Sequence, residues 1–137
     1  MKIYDCFMYF DEDMLLEIRL NILNKYVDKF VVIESKFLHS GKEKKLNFNI
    51  NNFSSFKDKI IYLVVDQPPD GIEDINDTDS IDTSNKKKLD NSLKRENTQR
   101  NKLINGIKEA NDEDLIISSD LDEIPNLKNF KHNSKIS

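Results

Sequence analysis

Two apolar runs constrain the fold more than anything else in this sequence. Phe30–Ile33, inside "KFVVIES" (29–35), and "IIYLVVD" (60–66) do not alternate polar with apolar residues. A strand with one face in water alternates, whereas a continuous run needs cover on both faces, which is the habit of parallel sheets. "KIYDCFMYF" (2–10) and "DLIISSD" (114–120) read as two further strands, aromatic or β-branched and short.

The segments between them carry helical signals. In "DEDMLLEIRLNILNKYV" (11–27), Asp11 is placed to cap, and Glu12 and Asp13 suit the positive end of the helix dipole. Leu15, Ile18, Ile22 and Tyr26 form one apolar stripe, and Leu16, Leu20, Leu23 and Val27 form a second beside it. Two adjacent stripes predict a wide buried face. "NNFSSFKDK" (51–59) allows a short helix. "LKRENTQRNKLINGIKEAN" (93–111) has helical spacing through Leu103, Ile104, Ile107 and Ala110. The polar stretch 67–93 opens with Pro68, Pro69 and Gly71 and reads as a long mobile loop, and the polar tail 126–137 as frayed. Strands alternating with helices predict one α/β domain over 1–137, a Rossmann-like, mainly parallel sheet with flanking helices.

In such a sheet every strand ends at one edge, and ligands bind outside it. Phe10–Glu12, Glu34–Ser35, Asp66, Arg95–Arg100 and Ser119–Glu123 should therefore converge. Asp120 and Asp122 leave the last strand one residue apart, so they share a face. Their carboxylates can reach one divalent cation, or one can bind metal and the other a sugar hydroxyl. Hard oxygen ligands suit Mg2+ or Mn2+ rather than zinc. Arg95 and Arg100 can add phosphate contacts. The same acids also fit an ordinary acidic turn before Pro125, and the arginines an ordinary solvated helix. Glu34, ending an apolar strand, can face a ligand or stay structural. His39 and His132 read as solvated, and Cys6 as a core residue.

Composition removes other classes. A net charge of −4, from 21 basic and 25 acidic residues, argues against a general nucleic-acid binder. No run approaches the roughly 18 apolar residues of a membrane span. The single cysteine excludes an internal disulfide, and the amino terminus lacks a signal-peptide pattern, so the expected location is cytoplasmic. No GxGxxG, Walker or HExxH spacing occurs. "DLDEI" partly matches the DxDx[TV] pattern of haloacid-dehalogenase-type phosphatases, but lies at the wrong end of the chain and has Ile at 124.

Four blocks occur in the order seen in a known family: "YDCFMYFDEDMLLEIRLNIL", "VDKFVVIESKFLHSGKEKKLNF", "RENTQRN" and "LIISSDLDEIP". Together they resemble glycosyltransferase family 17, which includes the bisecting β-1,4-N-acetylglucosaminyltransferase of animal glycoproteins. The resemblance covers nearly all of the chain up to Pro125. It implies a GT-A fold, here a partial, donor-nucleotide-binding domain. It implies that Asp120-Leu121-Asp122 is a DxD motif holding Mn2+ or Mg2+, and that the donor is a UDP-sugar, with N-acetylglucosamine passing to a glycan acceptor. Glu34 and Ser40-Gly41 match an "ES…SG" block, making Glu34 the candidate for a nucleoside contact. Arg95, Arg100 and Asp120 complete the expected nucleotide-sugar contacts. Family members continue well past the DxD segment, so the catalytic base is expected in a carboxyl-terminal half and no catalytic residue is named here. The alternative is a truncated remnant that at most binds nucleotide and metal, with a partner chain or self-association at the face where that half would pack.

Overall fold

A computed structural model of the chain describes residues 1–38 and 40–128. Four strands form one sheet: β1 (Ile3–Met8), β2 (Lys29–Ser35), β3 (Ile60–Val65) and β4 (Leu115–Ser118). Their order is β3-β2-β1-β4 and every pair is parallel. The central strands β1 and β2 are covered on both faces, as the continuous apolar run of β2 requires, while the other continuous run forms the edge strand β3, whose residues are mostly half-buried. On one face Ile3, Phe7, Phe30 and Val32 pack under Leu16, Leu20 and Leu23 of α1 (Asp13–Leu23). On the other, Tyr4, Cys6, Val31 and Ile33 pack under Leu103, Ile107 and Ala110. Cys6 is a core residue, its thiol pushed up to about 12 chiefly by burial, with the Asp5 carboxylate adding to the shift.

Helix α1 and the turn after it bury one of the two expected stripes fully and the other only at Leu15 and Tyr26, which pack half-buried against the core. Leu16, Arg19, Leu20 and Leu23 face the sheet, whereas Ile18 and Ile22 are 44% and 49% exposed. The sheet beneath is only four strands wide, and the middle of the buried stripe is taken by a charged residue, Arg19. The helix also starts later than expected. Glu12, not Asp11, is the cap residue and makes no side-chain capping bond; Asp13 accepts from the Tyr9 hydroxyl.

The second helix corrects the sequence reading more strongly. The expected loop 67–93 is helical from Ile81, and α2 runs through Ile81–Lys102. Ser80 caps it, its Oγ accepting from the Thr83 N–H at 3.1 Å. Its buried residues are Asn91 and Gln99, while Ile81, Leu89 and Leu93 are exposed. A helix without an apolar stripe carries no periodic signal to read. Polar contacts dock it instead. Asn91 grips both the N–H and the carbonyl of Glu73 at 2.8 Å, and Lys94 donates to the Gly71 carbonyl at 2.5 Å. Gln99 is buried with no hydrogen-bond partner for its amide among the described residues. The helix then tightens into a 3-10 turn, Leu103–Gly106, and this turn and the residues after it supply the apolar cover of that face of the sheet.

The tail also differs from expectation. Leu127 is 6% exposed and belongs to the α1-side core, so the chain is packed to that point. The remainder of the expected frayed tail, together with His39 and His132, lies outside the described residues. No helix among the described residues is long and apolar enough to cross a membrane.

The 3-10 turn can reach the sheet because residue 106 is glycine. A Cβ there would fall 2.4 Å from Val31 Cγ1 and 3.2 Å from Leu63 Cδ1. Gly106→Ala is therefore expected to destabilise the fold by about 1–3 kcal/mol, as overpacking does. Chemical denaturation of the two proteins checks this.

Candidate functional site

The carboxyl edge of β1 and β4 holds a cleft of about 340 Å3, lined by Met8, Phe10, Glu12, Leu15, Asp120, Leu121 and Asp122. It lies where strand order reverses: β1 leads to β2 and β3 on one side and neighbours β4 on the other. The space outside such a reversal is where open α/β sheets bind ligands.

The acidic loop is a turn rather than the extended segment expected, yet its exposure still alternates. Leu121 turns into the core, while Asp120 and Asp122 are exposed. Glu123 joins them, and one carboxylate oxygen from each of the three lies within 4.8 Å of the others. The loop is closed by the Glu123 N–H donating to the Asp120 carbonyl at 2.9 Å. Arg100, near the end of α2, has its Nη2 2.9 Å from Glu96 Oε1 and 3.9 Å from Asp120 Oδ1. Three hard carboxylates with no thiol or imidazole in the cluster match the donor set of Mg2+ or Mn2+.

Beneath the loop lies a group the sequence reading missed. The Arg19 guanidinium is fully buried. Its Nε and Nη2 donate to the two oxygens of Asp5 at 2.8 and 2.7 Å. Nη2 also donates to Ser119 Oγ at 2.7 Å. Nη1 donates to the carbonyls of Asp120, Leu121 and Glu123 at 2.8, 3.1 and 3.1 Å. The signal was present: Asp5 interrupts an apolar strand, and Arg19 sits in register with Leu16, Leu20 and Leu23. A charge at a core position on each of two elements is the pattern of a buried pair.

The expected site residues do not all meet. Asp120, Asp122 and Arg100 do, beside Phe10 and Glu12, with Glu123 as an addition. Arg95 does not, since five residues of helix turn it about 140° away from Arg100. Its guanidinium lies over Gly41, where a Cβ would fall 2.5 Å from Nη2. Gly41, at φ +93°, satisfies both the left-handed turn and this close approach. Asp66 lines a separate hollow with Pro68, Pro69 and Asn97.

Glu34 is fully buried, and its carboxylate is saturated from within. Oε1 accepts from the Phe48 N–H and the Tyr62 hydroxyl, and Oε2 from Lys44 Nζ and the Asn47 N–H, at 2.6–3.0 Å. The expected nucleoside contact thus gives way to an internal one, because a carboxylate offers about four acceptor positions. Its link to the cleft is indirect: the Asn47 side chain, in the segment Glu34 anchors, donates to the Phe10 carbonyl at 2.7 Å.

The family profile described as Glycosyltransferase family 17 matches residues 1–133 of the 137. The chain belongs to glycosyltransferase family 17. Comparison with curated proteins and with solved structures returned no match. Membership makes this a glycosyltransferase domain, and the four sequence blocks of the family 17 resemblance fall on the elements that build the cleft and its support. "YDCFMYF" forms β1 and the near wall, "RENTQRN" carries Arg100, and "LIISSDLDEIP" supplies β4 and the acidic loop.

Burial pushes the Glu34 carboxyl up, but bonds from Lys44, Asn47, Tyr62 and Phe48 outweigh it and hold it below its usual 4.5. A depressed carboxylate stabilises the fold above its usual titration range and loses that contribution as pH falls through the lowered value. Glu34→Gln sets an amide nitrogen against two donors and is expected to cost about 2–3 kcal/mol near neutral pH. In denaturation at several pH values, the gap between the two proteins should stay flat from about pH 6 to 8. It should narrow once pH falls below 4.5.

Proposed function

We propose that this family 17 domain binds a UDP-sugar at the β1–β4 cleft in the manner of GT-A enzymes, for transfer of the sugar, N-acetylglucosamine by resemblance, to a glycan acceptor. The observation that carries the reading is the meeting of three carboxylates with a cleft at the reversal of strand order. Asp120, Asp122 and Glu123 would hold Mn2+ or Mg2+, with Asp120-Leu121-Asp122 acting as a DxD motif. A bound cation of this kind offsets the negative charge that develops on a departing nucleoside diphosphate.

The chain's own residues complete the binding surface. Arg100 stands beside Asp120 with its guanidinium partly exposed, where it can donate to a phosphate oxygen while Glu96 orients it. Met8, Phe10 and Leu15 offer apolar wall to a flat base or sugar face. Leu121, buried between the two aspartates, keeps both carboxylates turned outward.

Asp122→Asn tests this reading. Asp122 is exposed, so unfolding behaviour should be unchanged. Calorimetric titration of UDP in the presence of Mn2+ should show affinity lower by about tenfold or more, at least the loss that follows when only a ligand's supporting partner is removed. Excess EDTA should abolish the same binding in the parent protein. Unchanged UDP affinity in the variant would remove the acidic loop from the site.

A further inference from the structure

We propose that Arg19 and Asp5 are positioning residues for the acidic loop: Arg19 sets the path of its backbone, and Asp5 cancels the charge that would otherwise stand beneath a cation. The cation half of this rests on the reading of the loop as a metal site.

The bonding of Arg19 is one-sided in an informative way. All of its N–H groups are engaged, and every acceptor other than Asp5 belongs to residues 119–123. Three consecutive-turn carbonyls point inward at one nitrogen, and Ser119 Oγ, itself held by Nη2, donates to the Glu123 carbonyl at 3.0 Å. With the carbonyls and the Leu121 side chain inward, the side chains of Asp120, Asp122 and Glu123 are left outward and together. The planar fork makes this possible; a lysine ammonium in the same place is a point charge with three donors. The Phe7 ring, 4.8 Å from the guanidinium carbon, fixes the fork from one side.

Charge balance supplies the second half. A lone guanidinium under three carboxylates would offset part of their charge and weaken their hold on an incoming cation. Asp5, fully buried and bound through both oxygens, pairs with that charge and leaves the hydrogen-bonding geometry in place. The buried pair therefore takes little from the negative potential of the loop's three acids, and the cation beside them is Arg100, 3.9 Å from Asp120 Oδ1. Support of this kind, one step behind the ligands, is what orients metal-binding groups in general.

A purely structural pair could be exchanged for an apolar pair of similar volume without consequence, because such exchanges are often neutral for stability. The test uses Asp5→Leu/Arg19→Met and, should that protein not fold, Arg19→Lys, each with two readouts. These are amide hydrogen exchange across residues 119–124 and affinity for Mn2+ alone. In a cooperatively folded variant, exchange should speed up and Mn2+ affinity fall, each by about tenfold or more. The Asp122→Asn protein is the control, losing Mn2+ while keeping its loop protection. Loop exchange and Mn2+ affinity both within about twofold of the parent, in either folded variant, would overturn the proposal, since support of ligand geometry has a larger effect. If the parent itself bound no Mn2+, the cation reading and the charge-cancelling role of Asp5 would both fail, and loop exchange would decide the role of Arg19.

Discussion

One buried guanidinium joins three parts of the molecule that are far apart in the chain. Arg19 ties α1 to β1 through Asp5 and to the segment after β4 through three carbonyls and a hydroxyl. Neither member of the pair could be buried alone, since removing one partner of a buried ion pair typically costs about 3–5 kcal/mol. The acidic loop depends on it in turn, because carbonyls turned toward the core need donors there. The placement of three carboxylates at the mouth of the β1–β4 cleft thus follows from a residue that never touches solvent.

A second buried anchor works on the other wall. Glu34 gathers Lys44, Asn47, Phe48 and Tyr62, and through Asn47 it steadies the carbonyl of Phe10. The cleft is framed by two charged groups held below the surface, one basic and one acidic. Both are satisfied within the fold and both leave the solvent-facing side chains free to meet a ligand. Strand order then places the cleft: a sheet that grows outward from β1 in both directions leaves its gap beside β1.

The parts of this legible in the sequence were those governed by apolar burial. The continuous run at Phe30–Ile33 announced a strand covered on both faces, and central β2 is one, whereas Ile60–Val65 is the parallel edge strand β3, mostly half-buried. The carboxyl edge followed from topology, and with it the meeting of Phe10–Glu12 with Ser119–Glu123. What escaped was held together by polar contacts between distant residues. The helix from Ile81 to Lys102 has almost nothing buried, so the first part of it, to Leu93, looked like loop. Glu34 looked like a ligand because an acid ending an apolar strand is ambiguous until its donors, ten to twenty-eight residues away, are known. Arg19 was hidden in an apolar stripe, and its partner lies in a different element. Family 17 membership came from blocks of residues in order, which is information of a different kind from periodicity.

The proposal at the centre is that a cation gathers at the acidic loop in preference to the other acids among the described residues. Paramagnetic broadening of backbone amide signals by substoichiometric Mn2+ tests it directly. The account predicts broadening centred on Asp120–Glu123, with Phe10–Glu12 and Arg100 next, and with Gly41 and the Asp70–Asp79 stretch spared. Broadening centred on the Asp66–Asp79 acids, or spread evenly over the acidic surface, would contradict it.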